Sequence, residues 1–375
     1  MDGSRGRALP WTRWVRGPRP AAFRAAVSRG ISGLCCLGRA KRRFLRLTGG
    51  YDLEWRGRKI LVTGGAGFLG SNLCHALAGR GARVTALDGF LFGGGANPAN
   101  LDGADVELVR ADIREVDLRP LCEGAAVIFN LAAQTSHMGG QRDPLADIAV
   151  NAVAQVRLIQ AAREAAPEAV VVHASTRQFY GRPRSLPVDE THPVNPPDAN
   201  GVSKFAGEQY WMIEHRTAGR PVVALRLTNC YGPRLRIRDA RQTFLGIWLR
   251  CALEKTPFEV WGGTQLRDLT YVDDVTEAFL AAASQAACHG QVYNIGGAPP
   301  ASLLEIAELV RRLGGPGVEF VTREFPADRA TIDIGSYHAD DGAFRAASGW
   351  RPRVSLEQGI RRSLEWFAPR LGAYL

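Results

Sequence analysis

The sequence predicts an α/β fold, a doubly wound parallel sheet of about seven strands with a smaller C-terminal lobe. Three observations support this prediction. From Lys59 onward, short apolar runs alternate with helical segments, which is typical of a parallel sheet with helices on both faces. The first apolar run ends directly on a cluster of glycines. After residue 230 the alternation loosens, and a chain of 375 residues has room for a second lobe.

The glycine cluster follows the first predicted strand, Lys59–Thr63, and precedes a helix predicted over residues 71–79. Gly65, Gly67 and Gly70 satisfy the pattern G-x-G-x-x-G. Glycines at these spacings permit a tight turn, close approach of the backbone to a pyrophosphate, and close packing of the helix on the strand. The N-terminus of the helix offers free N–H groups and the positive end of its dipole to phosphates. The turn therefore predicts a dinucleotide site.

An acidic residue follows at the distance that this kind of site requires. The second predicted strand, residues 83–87, ends on Asp88, which lies 18 residues after Gly70. A carboxylate there accepts hydrogen bonds from ribose hydroxyls and repels a 2′-phosphate. The sequence therefore predicts NAD rather than NADP as the cofactor, with a preference of more than about tenfold.

The remaining elements continue the alternation. Strands are predicted at residues 106–109, 126–130, 169–173, 222–226, 258–261 and 291–295. Helices are predicted at residues 144–165, 199–216, 243–253, 273–287 and 302–313, the last of which begins with Ser302 and Glu305 as a capping box. We assign residues 51–230 mainly to an NAD-binding domain and residues 231–375 mainly to a substrate lobe, with the chain interleaving between the two.

Basic charge is concentrated near the N-terminus. Residues 1–50 contain twelve Lys and Arg and one acid, Asp2, whereas the whole chain has a net charge of +10. This tail carries +11 and the remainder −1, so no nucleic-acid partner is expected for the body of the protein. Three interpretations of the tail stay open: a disordered basic segment, a targeting peptide, or translated sequence upstream of the true start. Its apolar run, residues 31–37, is too short to span a membrane.

The seven cysteines include one adjacent pair and no C-x-x-C motif. No spacing typical of metal-ligating His and Cys residues lies near them. The sequence therefore predicts neither a metal site nor a disulfide framework, and reduced thiols in the cytoplasm fit it best.

Several further motifs lie beyond the glycine turn. They are Asp112-Ile113, Leu131-Ala132-Ala133-Gln134, Ser175-Thr176, Gly201-x-Ser203-Lys204, Arg226-x-x-Asn229-x-Tyr231-Gly232-Pro233, Arg267-Asp268 with Tyr271-Val272-Asp273-Asp274, and Gly349-Trp350-x-Pro352. Through these motifs the chain resembles the extended short-chain dehydrogenase/reductases, specifically the nucleotide-sugar epimerase/dehydratase group. The resemblance implies a Rossmann sheet, NAD as cofactor and a nucleotide-diphosphate sugar as substrate. It also implies a homodimer formed through the helices near residues 145–165 and 199–216.

The resemblance also implies roles for individual residues. Those expected to bind the cofactor are Gly64, Gly67, Phe68, Leu69, Gly70, Asp88, Asp112, Ile113, Leu131, Ala132, Ala133 and Lys204. Thr176 is expected to bind the sugar hydroxyl that is oxidised. Those expected to bind the substrate are Gln134, Asn229, Arg234, Arg267 and Arg329, the arginines as donors to its diphosphate.

One departure from the family pattern concerns the proton acceptor. The family has Tyr-x-x-x-Lys, but Asn200 stands four residues before Lys204, and no Tyr-x-x-x-Lys occurs in the chain. An amide does not ionise, and losing a positioned base typically costs about 10²–10⁴-fold in rate. Three substitutes are considered: His137, since histidine exchanges protons near neutral pH; Tyr180; and a water molecule held by Asn200 and Lys204.

A second departure concerns the type of reaction. In the sugar 4,6-dehydratases of this family, Asp-Glu follows the strand-end threonine and supplies an acid and a base, whereas this chain has Arg177-Gln178. Dehydration is therefore disfavoured. The predicted function is NAD-dependent epimerisation of a nucleotide-diphosphate sugar by transient oxidation at a ring carbon. The alternatives are a related oxidoreductase, decarboxylase or dehydratase and, from another class, a catalytically silent protein that binds NAD and a sugar nucleotide.

Overall fold

The computed structural model describes residues 54–91, 94–239, 243–297, 299–326 and 332–375. The predicted tail, residues 1–50, and the predicted substrate residue Arg329 lie outside these ranges. Within them, no helix is both long enough and apolar enough to cross a membrane.

The strands in the described ranges are β1 Lys59–Thr63, β2 Arg83–Asp88, β3 Glu107–Arg110, β4 Val127–Asn130, β5 Val170–Thr176, β6 Val222–Leu227, β7 Asn229–Tyr231, β8 Phe258–Trp261, β9 Leu266–Arg267, β10 Leu269–Tyr271, β11 Gln291–Ile295, β12 Ala301–Ser302 and β13 Phe320–Arg323. The α-helices there are α1 Phe68–Gly79, α2 Arg119–Cys122, α3 His137–Arg142, α4 Pro144–Ile148, α5 Ala154–Ala165, α6 Ala199–Ala218, α7 Phe244–Glu254, α8 Val272–Ser284, α9 Leu303–Gly314, α10 Gly342–Ser348 and α11 Leu356–Phe367.

Seven strands form the main sheet, in the order β11-β6-β5-β4-β1-β2-β3. Every pairing in it is parallel. The order reverses between β1 and β4, and in doubly wound sheets a ligand binds at such a switch point, outside the carboxyl ends of the strands. The predicted doubly wound parallel sheet is confirmed, and its switch point lies beside the glycine turn that follows β1.

The apolar core lies on both faces of this sheet because successive side chains of a strand point to opposite sides. Ile60 and Val62 of β1 join the cluster that includes Phe279 of α8. Leu61, between them, joins the opposite cluster with Trp211 of α6. The strands read as continuous apolar runs because both faces are covered.

The C-terminal part of the chain contributes to two layers. Helices α7, α9 and α11 and the parallel pair β8–β13 share a separate apolar cluster. Strand β11 belongs instead to the main sheet, where it pairs with β6. The sequence after residue 230 is thus used both for the sheet and for a smaller lobe.

Most element boundaries differ from the sequence prediction by one to three residues, and three differences have a structural reason. Helix α1 begins at Phe68, three residues early, because Gly67 takes an extended conformation and serves as the N-cap. Strand β5 continues to Thr176 because its pairing with β6 runs as far as Leu227. The single helix predicted over residues 144–165 is three consecutive segments, with a π-helical turn at Ala149–Val153 between α4 and α5. The predicted capping box at the start of α9 is present.

Candidate active site

The glycine turn between β1 and α1 is built by close backbone packing. Gly64 has φ +69°, and a Cβ atom there would lie 2.9 Å from the backbone of Leu131, which follows β4. A Cβ atom at Gly70 would overlap the carbonyl oxygen of Gly64 and lie 2.8 Å from its carbonyl carbon. No side chain caps α1. The first N–H groups of the helix therefore remain available for an anion.

Asp88 lies at the end of β2, beside this turn. Its carboxylate accepts the backbone N–H of Ala66 at 3.1 Å and that of Phe90 at 3.0 Å. Burial raises the pKa of Asp88, and these N–H donors oppose the rise. The carboxylate thus holds the glycine turn against the end of β2, where the sequence predicts contact with a ribose.

Thr63 is a site residue that the sequence reasoning missed. Its buried hydroxyl donates to Oδ1 of Asn130 at 2.9 Å and accepts the N–H groups of Leu131 and Ala132 at 3.2 and 3.1 Å. This arrangement joins the end of β4, predicted to line the cofactor, to the end of β1. A buried hydroxyl at the last position of an apolar strand was the available signal.

The predicted adenine contact, Asp112-Ile113, follows β3. Asp112 already forms an ion pair with Arg114, whose Nη2 lies 2.6 Å from Oδ2. The hydrogen bonds from Arg114 hold the pKa of Asp112 below its usual value. Ile113 is buried. The contact of these residues with adenine stays a prediction.

Lys204 projects from α6 next to β5, the strand that ends on Thr176. It has no hydrogen bond or ion pair with any part of the chain that the structure describes. Burial lowers the pKa of Lys204 to about 8, against the opposing charge of Asp147. Burial and the charge of Lys204 together lower the pKa of His173, in β5, to about 3. The ammonium group thus lies beside β5 with its hydrogen-bonding capacity unused.

Asn200, predicted to stand where the family pattern has tyrosine, is 1% exposed. Its Nδ2 group donates to the carbonyl oxygen of Gln134 and to Oδ2 of Asp147, both at 2.9 Å. Asp147 is fully buried in α4 and also accepts from Asn151 at 3.1 Å. The amide therefore ties α6 to α4 and to the loop after β4. The sequence reasoning missed Asp147, because nothing local marks a carboxylate that is used 53 residues away.

His137 begins α3, and its Nδ1 lies 2.9 Å from Oδ2 of Asp198. Asp198 is the N-cap of α6, accepting the N–H of Gly201 at 2.7 Å, and it also accepts Nε2 of Gln178 at 3.0 Å. Burial alone would raise the pKa of Asp198, but its contact with His137 and the bond from Gly201 hold it below the usual value. Nδ1 of His137 has no hydrogen-bond partner in the described residues. Since the backbone N–H of Gln178 donates to Oγ1 of Thr176, hydrogen bonds connect Asp198, which lies at ion-pair distance from His137, to the end of β5.

Tyr180, the second candidate base, has a structural environment. Its hydroxyl donates to Oδ1 of Asn294 at 2.9 Å and accepts Nη1 of Arg226 at 2.6 Å. The residue is fully buried, and burial raises the pKa of its phenol. The occupied hydroxyl and its raised pKa both disfavour proton exchange with a substrate. Tyr180 therefore has a packing role in the interior beside the site.

The predicted substrate residues fall into two groups. Oδ1 of Asn229 accepts a hydrogen bond from Nη2 of Arg177 at 2.9 Å. Burial and the nearby charge of Arg177 lower the pKa of Arg267 to about 10. These three residues lie close together. Arg234 instead donates to Asn72 of α1 at 2.9 Å and lies over the ring of Trp366. The structure thus does not show Arg234 in contact with the other predicted substrate residues.

The described residues contain no group of three His, Cys, Asp or Glu side chains arranged to hold a metal ion. The glycine turn, the uncapped start of α1 and the unpaired ammonium of Lys204 fit a dinucleotide instead. The turn and α1 would hold the pyrophosphate, Asp88 the adenosine ribose and Lys204 the nicotinamide ribose.

Comparison with known proteins agrees with this geometry. Residues 60–296 match the NAD-dependent epimerase/dehydratase family. A UDP-glucose 4-epimerase of Mycolicibacterium smegmatis is 34% identical over 314 residues, which cover 82% of this chain and 98% of the relative. A UDP-glucose 4-epimerase of Thermotoga maritima, solved with UDP-glucose, aligns with a TM-score of 0.76 and 27% identity, covering 84% of this chain and 99% of that structure. The structure of MoeE5 with UDP-glucuronic acid and NAD aligns with a TM-score of 0.72 and 28% identity, covering 83% and 99%. The chain belongs to the NAD-dependent epimerase/dehydratase family, and its cofactor is NAD.

Proposed function

We propose that this protein is an enzyme that epimerises a UDP-sugar by transient oxidation at a ring carbon, with His137 as the proton acceptor in place of the family tyrosine. The observation that carries the proposal is the contact between His137 and Asp198. The carboxylate of Asp198 lies 2.9 Å from Nδ1, at ion-pair distance but without hydrogen-bond geometry, and Nε2 is left to take a proton. The same Asp198 caps the helix that carries Lys204.

The alternative proton acceptors have less support. Tyr180 is committed to Arg226 and Asn294. Both hydrogens of the Asn200 amide are used by Gln134 and Asp147, so only its oxygen is left to hold a water molecule. His137 has a side chain that is 38% exposed, so a substrate can reach it.

The roles of the chain's own groups follow from their positions. Thr176 donates to the oxygen of the sugar hydroxyl that is oxidised, and His137 takes the proton of that hydroxyl. Lys204 binds the nicotinamide ribose and places positive charge beside the oxygen as it loses its proton. NAD, held by the glycine turn, Asp88 and Lys204, would supply the acceptor and later the donor of the hydride at the sugar carbon. Asn229 and Arg267 hold the diphosphate while the sugar turns.

A catalytically silent protein is the second class of explanation. Lys204 argues against it, because simple binding of a sugar nucleotide does not require an unpaired ammonium beside β5. A partly buried cation without a hydrogen-bond partner is costly to keep unless a ligand uses it. We therefore favour an active enzyme.

Single-turnover spectroscopy tests the function. The full chain, loaded with NAD, is mixed with UDP-glucose, UDP-galactose, UDP-N-acetylglucosamine and UDP-glucuronate, and with dTDP-, GDP- and CDP-linked sugars. We expect transient absorbance of reduced nicotinamide and formation of an epimer with at least one UDP-sugar. Absence of both signals across the panel, with binding retained, would establish the silent protein instead.

We further propose a homodimer formed through α4, α5 and α6. Leu145, Val153 and Val202 are 79%, 53% and 56% exposed, and Tyr210 and Ile213 are 46% and 41% exposed. Apolar side chains grouped on neighbouring helices mark an interaction surface. The five cysteines in the described residues are free, which agrees with a reducing compartment, and we place the protein in the cytoplasm.

Light scattering at micromolar concentration tests the dimer. We expect twice the mass of one chain for the natural protein and loss of the dimer in Ile213→Lys. Val321→Lys is a matched control, since Val321 is also 41% exposed but lies in β13. A monomeric natural protein, or equal effects of the two substitutions, would contradict the proposed interface.

A further inference from the structure

Arg177 follows Thr176 directly, at the point where β5 ends. Its Nη2 donates to Oδ1 of Asn229 at 2.9 Å, and its Cζ lies 4.7 Å above the ring of Tyr337. Asn229 contacts one edge of the guanidinium and the ring of Tyr337 lies against one of its faces, so these two contacts fix the orientation of its plane. The side chain is thus fixed at the carboxyl end of β5, and it follows in sequence the threonine that is expected to meet the sugar.

Arg177 has no direct ion-pair partner among the described residues, although its charge acts on the buried carboxylate of Asp268. None of the residues that the structure describes forms an ion pair with it, and its Nη1 is buried without a hydrogen-bond acceptor. Burial raises the pKa of Asp268 to about 6, and the nearby charge of Arg177 opposes this rise. Oδ2 of Asp268 accepts the N–H of Ala339. Neighbouring Arg267 adds a second cation and has its own acidic partner, Asp333, at 3.2 Å.

A guanidinium held in a fixed orientation, with a buried donor that is not used, is prepared for an anionic oxygen. Desolvating such a group without a partner is unfavourable, so an anion gains more here than a neutral hydroxyl does. The position of Arg177 indicates which anionic group of the substrate it would bind. Arg177 directly follows Thr176, the residue expected to meet the sugar, while Arg267 is the predicted diphosphate contact.

We propose that Arg177 binds a carboxylate on the sugar, and that the substrate is a UDP-linked sugar acid rather than a neutral UDP-hexose. This inference rests on the proposed function and narrows its substrate class. Arg177 acts as a specificity-determining residue: its Nη1 donates to the carboxylate, and Asn229 and Tyr337 keep it in place.

Calorimetric titration of the NAD-loaded full chain tests the proposal with three ligands: UDP-glucuronate, UDP-glucose and UDP. We expect UDP-glucuronate to bind at least about tenfold more tightly than UDP-glucose, as one charge-assisted hydrogen bond permits. In Arg177→Gln this preference disappears, while the affinity for UDP is unchanged. Arg177→Lys keeps the charge but loses the fork of donors, and it retains part of the preference. Arg351→Gln, at an exposed position, serves as the control and keeps all of it.

Three other outcomes would contradict the proposal, and they distinguish failure of this inference from failure of the proposed function. Equal affinity of the natural protein for UDP-glucuronate and UDP-glucose overturns the inference and leaves the proposed function standing. A loss of UDP affinity in Arg177→Gln as large as the loss for UDP-glucuronate assigns Arg177 to the diphosphate, and also overturns it. If none of the three ligands binds, the proposed function on UDP-sugars fails as well.

Discussion

His137→Ala is expected to lower kcat for epimerisation by about 10²–10⁴-fold, which is the usual loss when a positioned base is removed. NAD binding should stay intact, because the glycine turn and Lys204 are not altered. In single-turnover spectroscopy, the transient absorbance of reduced nicotinamide should disappear. His289→Ala is the control, since His289 contacts the carbonyl oxygen of Ala283 and none of the site residues.

Asn200→Tyr separates a relocated base from a lost one. The substitution removes two hydrogen bonds and leaves the fully buried Asp147 with Asn151 as its remaining donor. Leaving a buried acceptor short of a donor costs about 1–3 kcal/mol, so we expect a less stable protein with no gain in activity. The opposite result, turnover that appears only in Asn200→Tyr, would show that His137 is not the base and that the natural chain binds without reacting.

Gly70→Ala is expected to destabilise the fold by about 1–3 kcal/mol, the usual range for overpacking. The added Cβ would meet the backbone of Gly64, and no rotamer change moves a backbone atom. Since a shift of about 1.4 kcal/mol is tenfold in affinity, displacing the turn should also weaken NAD binding at least about tenfold. Thermal unfolding and calorimetry with NAD measure the two effects.

Gly79→Ala is the matched control at the other end of α1. A Cβ atom there has nothing within 4 Å. Alanine in a helix loses less backbone entropy than glycine, so a gain of up to about 0.5–1 kcal/mol in stability is expected, with NAD affinity unchanged. If both substitutions behaved alike, the close approach of α1 to the turn would not be the reason for glycine at position 70.

The fold was predictable because its signals are local. The bounds of β1, β8 and β11 agree with the sequence prediction, since each is a short run with β-branched or aromatic residues that ends at a glycine. The capping box of α9 was predictable for the same reason, because its two members are three residues apart. The glycine spacing predicted a close approach of helix and strand, and the structure shows the contact at Gly70.

The environment of the site depends on long-range pairs. Asn200 meets Asp147 across 53 residues, and Arg177 meets Asn229 across 52. The contact of Asp198 with His137 depends on how α3 packs near the start of α6. The π-helical turn between α4 and α5 was also not predicted from the sequence.

By itself, the sequence determined the doubly wound sheet, the dinucleotide turn and the absence of the family tyrosine, because strand periodicity, glycine spacing and residue identity are properties of neighbouring residues. Only the tertiary structure decided that Asn200 is a buried tie to Asp147, that Tyr180 is committed to Arg226, and that Arg177 has an unused donor. The physical reason is that hydrogen-bond satisfaction and burial are set by which distant segments the parallel sheet brings to one edge.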